Sequence, residues 1–262
     1  MSISGINPSG INPSGIDPSG IDPSGIEPPA KAAPLLSVSD ISVAYGQSQV
    51  IERLSLSASQ GEIVAILGLN GMGKTTLMKA LIGLLPVRQG SIVLSGKELS
   101  QREPYERVLE GLAYVPQGRM VFPKLTVEEN IITGLRSDGE QPPEALYRYF
   151  PVLWDMRKRR GGNLSGGQQQ QLVIARALAS HPRVLLLDEP TEGIQPSIIK
   201  QLAEVLRTIR DEQGLTIVVS EQVLSFALAI ADRVLVIDRG HFIHESAGKD
   251  IDEKAVAKLL SI

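Results

Sequence analysis

The stretch Gly68-Leu69-Asn70-Gly71-Met72-Gly73-Lys74-Thr75-Thr76 decides the fold of this chain. It fits the pattern G-x-x-x-x-G-K-S/T, which cradles phosphates when it joins a strand to a helix. The apolar run at 63–67 is typical of a buried strand, and the pattern at 77–84 is helical and followed by Pro86. The context therefore predicts a phosphate-binding loop, and the alternative is a glycine-rich turn that merely contains Lys-Thr.

The residue types in this loop suit a phosphate. Glycine lets the backbone turn tightly round an oxyanion, and it has no Cβ to hold the N–H groups away. Those N–H groups and the positive end of the following helix form an anion site. Lys74 is predicted to reach the β- and γ-phosphates, and the hydroxyl of Thr75 to ligate Mg²⁺.

The composition limits the class of protein. The chain has 262 residues, of which 42% are hydrophobic, so it can bury a sizeable core as one large domain or two intimate lobes. It contains no cysteine, which excludes disulfides and thiolate metal sites. A net charge of −3 argues against a nucleic-acid partner, and the absence of a membrane-length apolar run or secretory signal predicts a soluble protein.

Residues 1–34 are predicted to be a disordered tail. A pentapeptide that begins as Ile6-Asn7-Pro8-Ser9-Gly10 repeats along it with small changes. Proline and glycine in each copy oppose both a helix and a β-ladder. The alternative is a short array that binds a partner through its spaced isoleucines.

Residues 35–262 alternate between strand and helix patterns. We predict strands at 36–43, 50–56, 63–67, 91–94, 113–115, 184–187, 216–219 and 233–237. We predict helices at 77–84, 126 to about 135, 143–150, 165–178, 198–209, 223–231 and 255–260. This order predicts an α/β fold with a mostly parallel sheet, and the helices at about 118–180 form an insertion between strands.

Two further motifs are placed by their local patterns. Ser165 and Gln168 have capping-box spacing at the start of a long helix, whose N-terminus is another anion site. The aliphatic run at 184–187 is typical of a strand buried on both faces, and it ends in Asp188-Glu189. Carboxylates at the carboxyl end of such a strand face the crevice where ligands bind.

Four motifs now stand in one order: the loop at 68–75, Gln117, Leu164-Ser165-Gly166-Gly167-Gln168, and the strand that ends in Asp188-Glu189. Together they resemble the ATP-binding cassette (ABC) ATPases over residues 35–262. The resemblance implies a nucleotide-binding core with an antiparallel N-terminal sheet and a helical subdomain that carries the Ser165 motif. It also implies that two cassettes pair head to tail, with each ATP between the loop of one and the Ser165 motif of the other.

The resemblance implies a role for each matched position. Glu189 is expected to polarise the attacking water, with Lys74 and Gln117 as further catalytic residues, while Thr75, Gln117 and Asp188 serve Mg²⁺. Tyr45 falls where the family stacks an aromatic ring on adenine. The remaining nucleotide contacts are implied at Gly68, Asn70, Gly71, Gly73, Lys74, Thr75, Thr76, Ser165, Gly166, Gly167 and Gln168.

Two positions depart from the family pattern. Gln222 stands where a histidine is usual, and Gln195 where an aspartate is usual. A neutral amide at 222 can donate a hydrogen bond to the γ-phosphate, so we count it as catalytic, but it cannot carry a proton. The pair Glu221-Gln222 resembles the Glu-Gln pair that branched-chain amino acid importer ATPases carry after this strand. Within that group, the runs 159–163 and 191–200 look most like the second ATP-binding subunit of urea ABC transporters.

These resemblances imply an ATPase that uses ATP and Mg²⁺, and that couples ATP hydrolysis to urea import at the cytoplasmic face of the bacterial inner membrane. The implied partners are transmembrane permease subunits, a periplasmic substrate-binding protein acting indirectly, and a second cassette that is a non-identical homologue or another copy of this chain. Alternatives are an importer of branched-chain or other amino acids or amides, and a soluble ABC ATPase acting on ribosomes or DNA. A regulatory nucleotide-binding module without turnover is a further class, which phosphate release would distinguish.

Overall fold

A computed structural model of the protein describes residues 1–2, 33–137 and 139–260. The predicted tail at 1–34 therefore lies almost wholly outside the described residues. Within them, no helix combines the length and apolar character that crossing a membrane requires.

The described chain alternates strands and helices from residue 36 to residue 259. The strands are β1 Leu36–Tyr45, β2 Ser48–Ala58, β3 Ile63–Leu67, β4 Gln89–Leu94, β5 Lys97–Glu98, β6 Leu112–Val115, β7 Val184–Asp188, β8 Thr216–Glu221, β9 Arg233–Asp238 and β10 His241–Ala247. The helices are α1 Lys74–Ile82, α2 Pro104–Leu109, α3 Val127–Ile132, α4 Glu144–Tyr149, α5 Pro151–Asp155, α6 Gly166–Leu178, α7 Pro196–Gln213, α8 Leu224–Ile230 and α9 Glu253–Leu259. Short 3₁₀ turns lie at Gly161–Asn163 and Gly248–Asp250.

A mostly parallel sheet forms the centre of the fold, in the strand order β10-β9-β3-β8-β7-β6. β3 pairs in parallel with β8 and β9, and β7 pairs in parallel with β6 and β8. Every residue of β3, β7 and β8 is buried, which explains their continuous aliphatic runs. Since parallel strands end at one edge, the loops after β3, β6, β7 and β8 meet there.

A second, antiparallel sheet has the order β2-β1-β4-β5. Its inner face and one face of the central sheet share an apolar cluster with α1, in which Leu36, Ile41, Val64 and Leu77 are fully buried. Between β6 and β7 the described residues form only helical elements, α3 to α6. The predicted fold class is therefore confirmed: α/β, with a mostly parallel core sheet, an antiparallel N-terminal sheet and helices inserted between strands.

The capping boxes predicted at Thr126 and Ser165 are both present. Four short elements were not predicted. β10 lies at the sheet edge and exposes most of its residues, and β5 is very short, so neither carries a strong apolar pattern. α2 and α5 start at prolines and span one or two turns, too few for a periodic stripe. α3 ends at Ile132 rather than near residue 135, because Thr133 is its C-cap.

Candidate active site

The predicted phosphate loop joins β3 to α1, as its pattern requires. Gly71 and Gly73 have φ of 81° and 107°, in the left-handed region that side chains other than glycine rarely adopt. A Cβ on Gly68 would lie 2.7 Å from the carbonyl oxygen of Ile237. Gly73 is the N-cap of α1, so the first N–H groups of the helix open toward the loop without intrahelical partners.

Lys74 lies at the centre of the loop and is only 3% exposed. Its Nζ donates to the carbonyl oxygens of Gly68 and Leu69 at 2.7 and 2.9 Å. It also forms an ion pair with Glu189 Oε1 at 3.0 Å. The ammonium group is thus held facing the loop cavity, with a carboxylate as its one anionic partner among the described residues.

Glu189 follows the last residue of β7 and is 8% exposed. Its φ of 47° is left-handed, a conformation that is costly outside glycine and clusters at functional sites. Its N–H donates to the Ser220 carbonyl at 3.0 Å. Its Oε2 accepts from Nε2 of Gln222 at 2.9 Å and of Gln117 at 3.3 Å. Hydrogen bonds therefore fix both the backbone and the carboxylate of Glu189.

Asp188 is surrounded by hydroxyl donors. Thr75 Oγ1 and Ser220 Oγ donate to Oδ1 at 3.1 and 2.6 Å, and the Tyr114 hydroxyl donates to Oδ2 at 3.1 Å. Burial raises the pKa of Asp188, and the neighbouring Glu189 adds to this, while the three hydroxyls oppose it. Burial and the Asp188 carboxylate also raise the pKa of Tyr114, which stays a neutral donor.

The residues at and just after the end of β8 contact both the phosphate loop and the segment that follows β7. Gln222 Nε2 donates to Asn70 Oδ1 at 2.7 Å as well as to Glu189, so it bridges two of the motifs. Glu221 is buried and accepts from the backbone N–H groups of Thr191, Gln222 and Val223 at 3.0 to 3.2 Å. Burial raises the pKa of Glu221 despite these bonds.

A pocket of about 180 Å³ opens over the loop. It is lined by Val50, Asn70, Gly71, Gly73, Lys74, Thr75, Thr76, Gln117 and Glu189. Most of the residues predicted to meet the phosphates thus share one cavity, with Asp188 against Thr75 and Gln222 against Glu189. Tyr45 does not line this pocket; it lies 47% exposed at the end of β1.

The predicted Ser165 motif does not line this pocket either. Ser165 is the N-cap of α6: its side chain accepts from the Gln168 N–H at 3.4 Å, and Gln168 Oε1 accepts from the Ser165 N–H at 3.0 Å. A Cβ on Gly167 would lie 2.9 Å from Ile198 Cγ2, so α6 approaches α7 closely here. The exposed N-terminus of α6 has no phosphate loop of its own chain before it.

Sequence reasoning missed four residues that shape the site, namely Tyr114, Arg119, Ser220 and Glu221. A signal existed for Ser220, because polar residues directly follow the buried run at 216–219 and register pairs Ser220 with Asp188. Tyr114 lies inside an apolar strand, where a tyrosine is ordinarily read as packing. The contacts of Arg119 depend on the fold and have no local signature.

Two isosteric substitutions are expected to have opposite effects on stability. At neutral pH, Asp188→Asn should stabilise the nucleotide-free chain by about 1 kcal/mol, because it removes a desolvated charge and hydroxyl partners can accept as well as donate. Glu221→Gln should destabilise it by about 1–3 kcal/mol, because an amide N–H₂ would face backbone N–H groups that cannot accept. Urea unfolding at pH 7 measures both.

The pH dependence of the free energy of unfolding provides a second test of the environment of Asp188. Because its folded-state pKa is raised, the wild type loses stability as the pH rises from the ordinary pKa of an aspartate through the raised one. The advantage of Asp188→Asn should therefore shrink as the pH falls through that window. If Asp188→Asn and Glu221→Gln changed the free energy of unfolding equally and in the same direction, the hydrogen-bond assignment would be wrong.

Comparison with known proteins identifies the family. A family profile described as ABC transporter matches residues 51–192. The high-affinity branched-chain amino acid transport ATP-binding protein BraG of Pseudomonas aeruginosa is 38% identical over 218 residues, covering 82% of this chain and 93% of that protein. The lipopolysaccharide export system ATP-binding protein LptB of Escherichia coli is 30% identical over 223 residues, covering 82% and 92%.

The fold agrees with a solved relative. A nucleotide-free ATP-binding cassette from an ABC transporter superposes with a TM-score of 0.74 at 26% identity, covering 87% of this chain and 96% of that one. The predicted resemblance to ABC ATPases is thereby confirmed. The chain belongs to the ABC transporter family, as one of its ATP-binding ATPases.

Proposed function

We propose that this chain is the energy-coupling ATPase of an ABC importer, with urea as its cargo. The observation that carries the ATPase part of the proposal is the ion pair of Lys74 and Glu189 at one pocket over a glycine-rich loop, with Asp188 bonded to Thr75 of the same pocket. A cation and a carboxylate beside N–H groups at a helix start supply what phosphoryl transfer to water needs: charge neutralisation and a group to orient the nucleophile.

ATP entry changes the partner of Lys74. In the structure Glu189 Oε1 occupies the anionic position against Nζ. A β- or γ-phosphate oxygen can take that position, since the loop N–H groups and the start of α1 add donors for it. The carboxylate of Glu189 then keeps the amide donors Gln117 and Gln222 and is free to accept a proton from water.

The donor set fits Mg²⁺. The Thr75 hydroxyl and the Asp188 carboxylate lie in contact, and Gln117 adds an amide oxygen at the same cavity. These are hard oxygen ligands, as Mg²⁺ prefers. Among the described residues no group of three or more His, Cys, Asp or Glu could hold a metal, which suits an ion bound mainly through phosphates and water. When bound, it would neutralise charge on the phosphates.

Tyr45 is proposed to stack on the adenine ring. It ends β1, and its hairpin partner is Ser48 in β2. Val50 of the same hairpin lines the phosphate pocket, so the hairpin lies beside the nucleotide path. The ring is half-exposed, and an exposed aromatic face gains free energy when a base covers it.

The site is proposed to be completed by a second cassette. Ser165 and the N–H groups at the start of α6 form an anion-binding end that faces no phosphate within this chain. In a head-to-tail pair it would meet the γ-phosphate held by the partner. The second cassette is a non-identical homologue or another copy of this chain.

Ser165→Arg is expected to leave ATP binding to one chain within about twofold while preventing an ATP-dependent pair, because bulk and positive charge enter where the γ-phosphate must dock. Losing the cap costs about 1 kcal/mol, so Ser165→Asp is the matched variant: aspartate still caps α6 but repels phosphate. Ser137→Arg, exposed among the inserted helices, is the control. Sedimentation with ATP tests this; normal pairing of both Ser165 variants would contradict the composite site.

Permease subunits are proposed to dock in an apolar groove of about 550 Å³. Its walls include Tyr105 and Leu109 of α2, Phe122 after β6, and Val173 of α6. Tyr105 and Leu109 are largely exposed and Phe122 is half-exposed, and such a groove suits the apolar face of a short helix. Tyr114 lines the groove while its hydroxyl contacts Asp188, so the docked helix would adjoin the site. The proposed location is therefore the inner membrane, at its cytoplasmic face.

The cargo is proposed from sequence likeness, since an ATPase of this type does not touch the cargo. The runs 159–163 and 191–200 favour urea. Branched-chain amino acids are the second candidate, favoured by the 38% identity to BraG. A strain lacking this chain should grow poorly on limiting urea as nitrogen source and normally on limiting leucine. The reverse pattern would assign the second candidate, and normal growth on both would contradict either cargo.

A further inference from the structure

Arg119 lies in a strained turn directly after Gln117. Gly118, Arg119 and Met120 have consecutive left-handed φ values of 84°, 67° and 45°. A non-glycine residue adopts this conformation at a cost, and two in succession persist only where the surroundings hold them. Arg176 of α6 donates to the Met120 carbonyl at 2.9 Å, which fastens the turn to the inserted helices.

The guanidinium of Arg119 joins two other segments. Its Nη2 donates to the carbonyls of Glu192 and Gly193, at 2.7 and 3.1 Å, in the loop after β7. On its other side it lies against Gly166 at the start of α6, where an added Cβ would be 3.2 Å from Nη1. A Cβ on Gly193 would be 3.0 Å from Nη2. Glycine at both positions leaves room for the guanidinium between the loop and the helix.

A short path of hydrogen bonds leads from Arg119 to Glu189. The Glu192 carbonyl accepts from Arg119, and the Glu192 N–H donates to the Glu189 carbonyl at 3.2 Å. The side chains of Arg119 and Glu189 also line one shared cavity of about 270 Å³. Any shift of the loop after β7 therefore reaches the backbone that aims the Glu189 carboxylate.

Stabilisation of α6 does not explain this placement. A helix N-terminus carries partial positive charge, and a cation beside it is electrostatically unfavourable. Both acceptors of the guanidinium are neutral carbonyls, and no carboxylate within the described ranges forms an ion pair with it. The chain thus accepts backbone strain and an unfavourable charge contact to join these segments.

We propose that Arg119 is a positioning residue for ATP hydrolysis. It ties the loop after β7, and through it Glu189, to the start of α6, so that the group that orients water and the end that receives the partner's γ-phosphate keep a fixed relation. This deepens the proposed function and rests on the composite site described there. The contacts of Arg119 are with the backbone carbonyls of the loop after β7 and with the start of α6.

Steady-state kinetics separate positioning from binding. Arg119→Ala should lower kcat about tenfold or more while KM for ATP stays within about twofold, because the phosphate loop is untouched. Arg119→Lys should recover part of kcat, since an ammonium can reach one carbonyl but lacks the rigid fork. Arg207→Ala, which removes the same charge from the exposed face of α7, is the control and should match the wild type.

Hydrogen exchange tests the tie without turnover or a partner cassette. In the nucleotide-free chain, Arg119→Ala should speed exchange of the amides at 192–194 by about tenfold, since a charge-assisted bond is lost. The Arg207→Ala control should leave it unchanged. Faster exchange together with a lower kcat supports the proposal, and the exchange result alone reports on the contact of Arg119 whether or not cassettes pair. Exchange within about twofold of wild type, or a KM change with unchanged kcat, would overturn it.

Discussion

Lys74→Ala is expected to weaken ATP binding by at least about tenfold and to lower hydrolysis by about 10²- to 10³-fold or more. Nζ is the one buried cation at the pocket among the described residues, and three acceptors hold it there. Without it the phosphates lose their charge partner, and Glu189 remains in the cavity as an uncompensated carboxylate that repels them. Isothermal titration and phosphate release measure the two effects.

Lys79→Ala is the matched control for this prediction. Lys79 lies on the same helix but in its last turn, away from the loop. Its removal changes the net charge by the same amount and should leave both measurements near the wild-type values. Unchanged ATP affinity in Lys74→Ala would mean that the glycine-rich loop is not the phosphate site.

Glu189→Gln should reduce hydrolysis by about 10²- to 10⁴-fold, the usual loss for a general base, while ATP still binds. Glutamine keeps the size of the side chain and removes its charge and proton acceptor. Gln222 is a neutral amide, so no histidine stands ready to take the proton at that position. ATP-bound pairs of cassettes should therefore accumulate and be isolable by size-exclusion chromatography with the second cassette present.

The ion pair adds a stability signature to this variant. Lys74 and Glu189 are both buried, and removing one member of a buried pair leaves the other uncompensated. The nucleotide-free variant should melt below the wild type, and ATP should restore more of its Tm, because phosphate replaces the lost anion. Glu204→Gln, exposed on α7, controls for the change of charge. Hydrolysis within about threefold of wild type would remove Glu189 from its assigned role, since that is under 1 kcal/mol of barrier.

Much of the fold, and most of the residues that line the pocket over the loop, could be predicted because local sequence patterns determine them. The loop at 68–76 combines a backbone requirement, a cation and a hydroxyl in fixed spacing. The buried strands β3, β7 and β8 contain continuous aliphatic runs because both of their faces are covered. The caps at Thr126 and Ser165 depend on hydrogen bonds between residues three positions apart, so the residue types and their spacing predict them.

The contacts that could not be predicted from the sequence join segments that are far apart along the chain. The ion pair between Lys74 and Glu189 gives the cation of the loop an anionic partner from a distant segment, which motif spacing does not reveal. The Tyr114 hydroxyl reaches Asp188 only because β6 and β7 are neighbours in the sheet. Arg119 meets the loop after β7 through tertiary packing, and an isolated arginine in a turn gives no sign of it.

Mixing two inactive variants tests most directly whether each site is built from two chains. Lys74→Ala lacks a phosphate site but keeps its Ser165 end, and Ser165→Arg has the opposite defect. Neither variant can build a complete site with itself, whereas a mixed pair holds one intact composite site. Under conditions in which the wild-type chain hydrolyses ATP alone, an equal mixture should therefore hydrolyse ATP well above the sum of the two separate variants. A rate no greater than the sum of the separate variants would contradict the composite site.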